Sequence, residues 1–114
     1  MAIKITISDR VTFKVAGSYT NATGGAEAFD FHLTARRLLQ EELNARLPDV
    51  AEGRERIDAF LADIVTDWKG VLDDEGKPVA FGAESLAALL NGVPGSAGLA
   101  LSAYLDAVRA RAKN

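Results

Sequence analysis

Few side chains in this sequence have the types and spacing that chemistry needs. His32 is the only histidine, with Asp30 and Thr34 two residues to either side. A catalytic or metal-binding imidazole needs converging partners. No second histidine and no cysteine exists to converge on it, so His32 reads as a surface residue. Asp73-Asp74-Glu75-Gly76 clusters oxygens. A calcium loop wants acids at alternating positions and a closing glutamate, and that alternation is missing, so the stretch reads as a solvated turn. Ser18 and Ser102 lack a nucleophile-elbow context. Gly24-Gly25 has neither the spacing nor the strand–helix placement of a phosphate loop. Sixteen acids could pair in space as glycosidase carboxylates do, but no local signature selects any two. The expectation is a non-enzymatic protein with no catalytic residue, cofactor or metal.

Composition narrows the class further. At 114 residues the chain is expected to form one domain, spanning 1–114. Its 48% hydrophobic content is enough for a core, and its 25% charged content argues against disorder. Absence of cysteine excludes disulfide scaffolds, Cys-type zinc sites and thiol nucleophiles. The net charge of −3 gives no general drive toward nucleic acid. Charge is uneven: Asp49 to Glu75 holds nine acids against Arg54, Arg56 and Lys69. The end carries Arg109, Arg111 and Lys113, read as cations complementing a helix C-terminus. MAIKITISD alternates and turns polar too early for a signal peptide. No apolar run approaches the roughly 20 residues that span a bilayer. The expected setting is intracellular, where the sequon Asn21-Ala22-Thr23 is without consequence.

Periodicity supplies the elements that would position these groups. Ile3, Ile5 and Ile7 alternate with polar residues, as do Val11, Phe13 and Val15; Ser8-Asp9-Arg10 between them is either a turn or an exposed interruption of one long strand, and the odd positions keep their parity across it. Period two with β-branched residues predicts half-buried strand. After the turn formers of Ser18–Gly25 the alternation resumes at Phe29, Phe31 and Leu33. This predicts an antiparallel pair, Val11–Tyr19 with Ala26–Arg36, joined by a long, mobile connection. Leu39, Leu43 and Leu47 predict a short helix before Pro48. Ile57, Phe60, Leu61, Ile64, Val65 and Trp68 follow helical spacing, with Arg56, Asp58, Asp63 and Asp67 opposite and Gly70 at the C′ position. Glu84–Leu90 predicts another short helix, stopped by Asn91-Gly92. Pro94 is expected to open a last helix whose stripe is Leu101, Tyr104, Leu105 and Val108. The fold class is α+β: an N-terminal antiparallel hairpin or small sheet (1–38) packed against three to four short helices (39–114). Trp68, Phe81 and Tyr104 are the large aromatics of the helical half. Each suits a core anchor, and each could instead anchor a partner. On the first reading Trp68 caps the helical stripe and the final helices fold back over it, with Phe81 filling the gap.

The stretch Asp67–Leu90 resembles the signature of phage tail assembly chaperones. The matching features are Trp68, Gly70, Val71, Asp73, Gly76, Pro78, Phe81, Glu84, Leu89 and Leu90, then Pro94, Gly95, Ala103 and Tyr104. Phe13, Val15, Phe29-Asp30-Phe31 and Arg36-Arg37-Leu38 fit the N-terminal half. Gly82 stands where such sequences often place Ser or Thr. The resemblance implies a non-enzymatic chaperone acting in the bacterial host cytoplasm. Its partners would be the tape-measure protein, as client, and the tail-tube protein during tube assembly. It would be absent from the mature virion. The other readings are a minor structural tail protein, a small protein-binding module, and a small enzyme or ligand-binding protein, which a deep pocket lined by paired carboxylates or His32 would favour.

Overall fold

The computed structural model describes residues 2–112. Its elements are β1 (Arg10–Thr20), β2 (Ala26–Arg36), α1 (Gln40–Ala51), α2 (Ile57–Ile64), β3 (Val65–Lys69), α3 (Ala83–Gly92) and α4 (Ser96–Val108). This is the expected α+β arrangement. The three strands form one antiparallel sheet in the order β1-β2-β3, with β2 central.

The hairpin follows its alternation. Phe13 faces Leu33 and Val15 faces Phe31 across the ladder. These four and Ala35 are buried on one side, while Thr12, Lys14 and His32 point to solvent. The long connection is knit rather than open. Asn21 Oδ1 accepts from the Thr23 and Gly25 N–H groups at 3.1 and 2.9 Å, and from the Thr23 hydroxyl at 2.9 Å. Gly24, at φ 86°, supplies the left-handed residue that closes it.

Helices roof the buried side. α4 lies along β1, and α2 packs against α4 and α3. The ring of Tyr104 meets Phe13 at 5.7 Å and Phe60 at 6.3 Å, both edge to face. Its hydroxyl donates to Arg36 O at 2.8 Å and accepts from Leu38 N–H at 3.0 Å. One side chain thereby ties α4 to the chain leaving β2. Burial raises its phenol pKa above the usual value.

Four expectations fail, each for a physical reason. Residues 2–9 form no strand, and Ile3, Ile5 and Ile7 are 86%, 104% and 55% exposed. β2 is fully paired with β1 over Arg10–Thr20, one further rung joins Arg37 N–H to Asp9 O, and the chain then leaves for α1. The segment therefore has no partner strand. Second, the helical run ends at Ile64. Val65–Lys69 is a strand, bulged at Thr34/Ala35, that covers the other edge of β2. Val65 and Trp68 satisfy period 3.6 by coincidence, and pairing with an open sheet edge overrides it. Gly70, at φ 89°, closes a strand rather than a helix. Third, α1 runs through Pro48 to Ala51, and buries Leu43 and Val50 while Leu39 is its exposed N-cap. Fourth, Pro94 lies in the turn before α4, whose N-cap is Gly95.

The acidic stretch is largely neutralised within the chain. Arg46 bridges Glu55 at 2.6 Å and Asp63 at 2.5 Å and stacks over Phe60 at 4.6 Å. Arg36 reaches Asp63 from the sheet at 3.2 Å, and Arg54 pairs with Asp49 and Glu52. Of the basic C-terminal residues, Lys113 lies outside the described residues.

Candidate functional site

Three surface features could meet a partner, and each is built by different elements. The first is the Trp68–Phe81 pair. β3 places the indole on the helix side of the sheet, in register with Leu33. The chain then bends through Gly70, and Asp73 Oδ1 caps the next turn by accepting from the Glu75 and Lys77 N–H groups. It returns along an isolated bridge between Leu72 and Pro78. That return brings Val79 O within 2.8 Å of the indole N–H, which donates to it. Phe81 meets the indole edge to face at 5.4 Å and 85°. Both rings are half-buried. The expected joint between Trp68 and Phe81 is therefore present, though the indole rides on a strand.

Tyr104 is not part of that feature. It has no exposed surface, so the three aromatics do not form one patch, and Tyr104 offers nothing for a partner to touch in this conformation.

The second feature was not singled out in the sequence. A cleft of about 650 Å³ opens between the far end of the hairpin and the α3–α4 turn. Its walls are Tyr19 and Phe29 from the sheet and Val93, Pro94 and Leu99 from the helices. Gly17 makes it possible: a Cβ there would stand 2.8 Å from Leu99 Cδ1 and 2.9 Å from Phe29 Cζ. Without that atom, Leu99 and Phe29 settle over the strand. Phe31, Phe29 and Tyr19 form a row, with successive ring centroids 6.2 and 6.4 Å apart. The row leads from the core to solvent, where Tyr19 is 47% and Leu99 42% exposed. Tyr19 donates its O–H to Glu27 at 2.5 Å. That bond raises the phenol pKa and lowers the carboxyl pKa. The parity of Tyr19 with Val15 was the available signal, since it places Tyr19 on the apolar face beyond the residues the helices were expected to cover.

The third feature is a polar hollow of about 620 Å³ on the solvent face of the sheet, touching Asp30, His32, Asp67 and Lys69. His32 stands in register between Lys14 and Lys69. A catalytic imidazole needs a carboxylate to orient it, and the cross-strand neighbours of His32 are both lysines. Among the described residues no group of three or more His, Asp or Glu side chains is placed to hold a metal ion.

Chemically, the first two features present apolar side chains at the surface, and the cleft encloses about 650 Å³. No curated protein and no solved structure matches the chain. A family model described as YdaY prophage protein matches residues 27–112. The matched region runs from β2 through α4 and takes in most of the cleft and the Trp68–Phe81 joint. Because that match spans well over half of the sequence, the chain belongs to the YdaY prophage protein family.

Proposed function

We propose that this prophage protein is a non-enzymatic tail assembly chaperone. It binds the tape-measure protein in the host cytoplasm, assists tail-tube assembly around it, and is left out of the finished particle. The observation that carries the reading is the aromatic-walled cleft beside Tyr19, Phe29 and Leu99. An apolar stripe on an amphipathic client helix fits a groove of this kind. A tape-measure protein is long, so many shallow contacts of this type along it would give cumulative binding. Prophage family membership and the chaperone-like motif from Trp68 to Leu90 support the same reading.

Co-expression with the tape-measure protein of the same prophage tests it. The soluble yield of the client should rise, and the two should co-purify. An unchanged yield with no co-purification would refute the proposal. Mass spectrometry of purified particles addresses the rival, a minor structural tail protein: the chaperone reading expects the chain to be missing from them.

A further inference from the structure

Two unmet requirements of this chain match one another. The first is the outer edge of β1. The sheet order leaves that edge unpaired among the described residues. β1 is eleven residues long, pairs without a bulge and contains no proline, so it has few of the usual devices that blunt an edge strand. Beside it, Phe13, Ala103 and Ala107, together with the charged Lys14, Asp106 and Arg111, line a shallow groove of about 300 Å³ between β1 and α4. The small side chains of α4 leave room there for larger ones.

The second is the segment 2–8. It alternates as a half-buried strand does, yet Ile3, Ile5 and Ile7 stand in solvent. Their parity is that of Val11, Phe13 and Val15, the apolar side of β1. Laid along a β1 edge in a register that keeps parity, they would extend the apolar side of the sheet over the α4 groove.

The chain does not deliver this segment to its own edge. Arg37 N–H donates to Asp9 O at 2.7 Å, the next rung after the Arg10–Arg36 pair. Arg37 Nε donates to Ser8 O at 3.1 Å. Ser8 and Asp9 therefore continue the line of β1, and the reversal that a hairpin would need at these residues is absent.

We infer that the edge is completed by a second copy of this chain: the N-terminal arm of each copy adds as an antiparallel strand to β1 of the other. Because the arm prolongs β1, a single two-fold axis engages both arms at once, as an isologous interface requires. Each arm of six residues, Ile3–Ser8, reaches about 20 Å at roughly 3.3 Å per residue. Two such arms make an interface at the small end of the specific range, below about 1,200 Å², so the dimer is concentration-dependent. This inference does not depend on the chaperone reading, since it concerns a different edge and a different partner.

Sedimentation of the full chain across the micromolar range tests it. The average mass should rise toward twice the monomer value. The I3D/I5D variant should stay monomeric with an unchanged circular dichroism spectrum, because these side chains support nothing in the monomer. A wild-type chain that stays monomeric, or a dimer that survives I3D/I5D, would overturn the inference. The chain has no cysteine, so single substitutions report cleanly. Mixing Ile5→Cys chains with Ala107→Cys chains under mild oxidation should give the mixed disulfide. Only homodisulfides, or no cross-link, would overturn it. So would ring closure within a monomer of the doubly substituted chain.

Discussion

Replacing Tyr104 by Phe probes the join between the sheet and its helical roof with a single atom. The ring contacts to Phe13 and Phe60 survive, and only the hydroxyl is lost. That hydroxyl holds two backbone groups, Arg36 O at 2.8 Å and Leu38 N–H at 3.0 Å. Each bond contributes about 1 kcal/mol net, and a buried partner left without one costs about 1–3 kcal/mol. The tyrosine is fully buried, so water does not readily substitute. The expected loss is about 2–4 kcal/mol, which at this chain length lowers Tm by roughly 10 °C or more. Urea denaturation followed by Trp68 fluorescence and by circular dichroism should show a lower midpoint with an unchanged slope. The phenol adds a pH signature. Its folded pKa is raised above 10.0 by burial, so the neutral form is favoured in the native state. The resulting stability is intact below pH 10 and drains away as pH climbs through the folded value. Tyr104→Phe should flatten that alkaline decline. A loss under about 0.5 kcal/mol, or an alkaline limb identical to the wild type, would refute the assignment of Tyr104 as the tie.

Three further outcomes follow from the same geometry. Trp68→Ala should cost about 2–3 kcal/mol in chemical denaturation, short of the 3–5 typical of a fully buried aromatic, because the indole is half-buried and held by Val79 O and Phe81. Gly17→Ala should destabilise by about 1–3 kcal/mol, since its methyl would press on Leu99 and Phe29; reduced client recovery should accompany a reshaped cleft. Ser96 is 1% exposed and its hydroxyl has no hydrogen-bond partner among the described residues, so Ser96→Ala should raise stability by roughly 1 kcal/mol, read as a higher urea midpoint.

The hairpin was legible because alternation is a local property with one solution: Val11–Tyr19 and Ala26–Arg36 pair nearly end to end as the parity of Phe13 and Leu33 implies. The strand Val65–Lys69 was not legible. Its apolar residues fit both periods, and what decides between them is an open edge of β2 that local reading cannot see. Ile3, Ile5 and Ile7 show the converse failure: the segment continues the line of β1 beyond the end of β2, and without a reversal it does not reach the open outer edge of β1. Trp68 and Phe81 were correctly read as meeting, whereas Tyr104 shares no surface with them. The cleft escaped notice because Tyr19 and Leu99 are eighty residues apart, and only the turn at Gly95 brings α4 back over Gly17. The chaperone-like motif points to the phage world that the family match establishes.

Hydrogen exchange of the chain with and without the tape-measure protein of the same prophage, its proposed client, tests the central claim most directly. The account predicts added protection at the cleft, over Ser18–Thr20, Phe29 and Gly92–Leu99. Unchanged exchange there, or protection gathered around Trp68 and Phe81 instead, would contradict it.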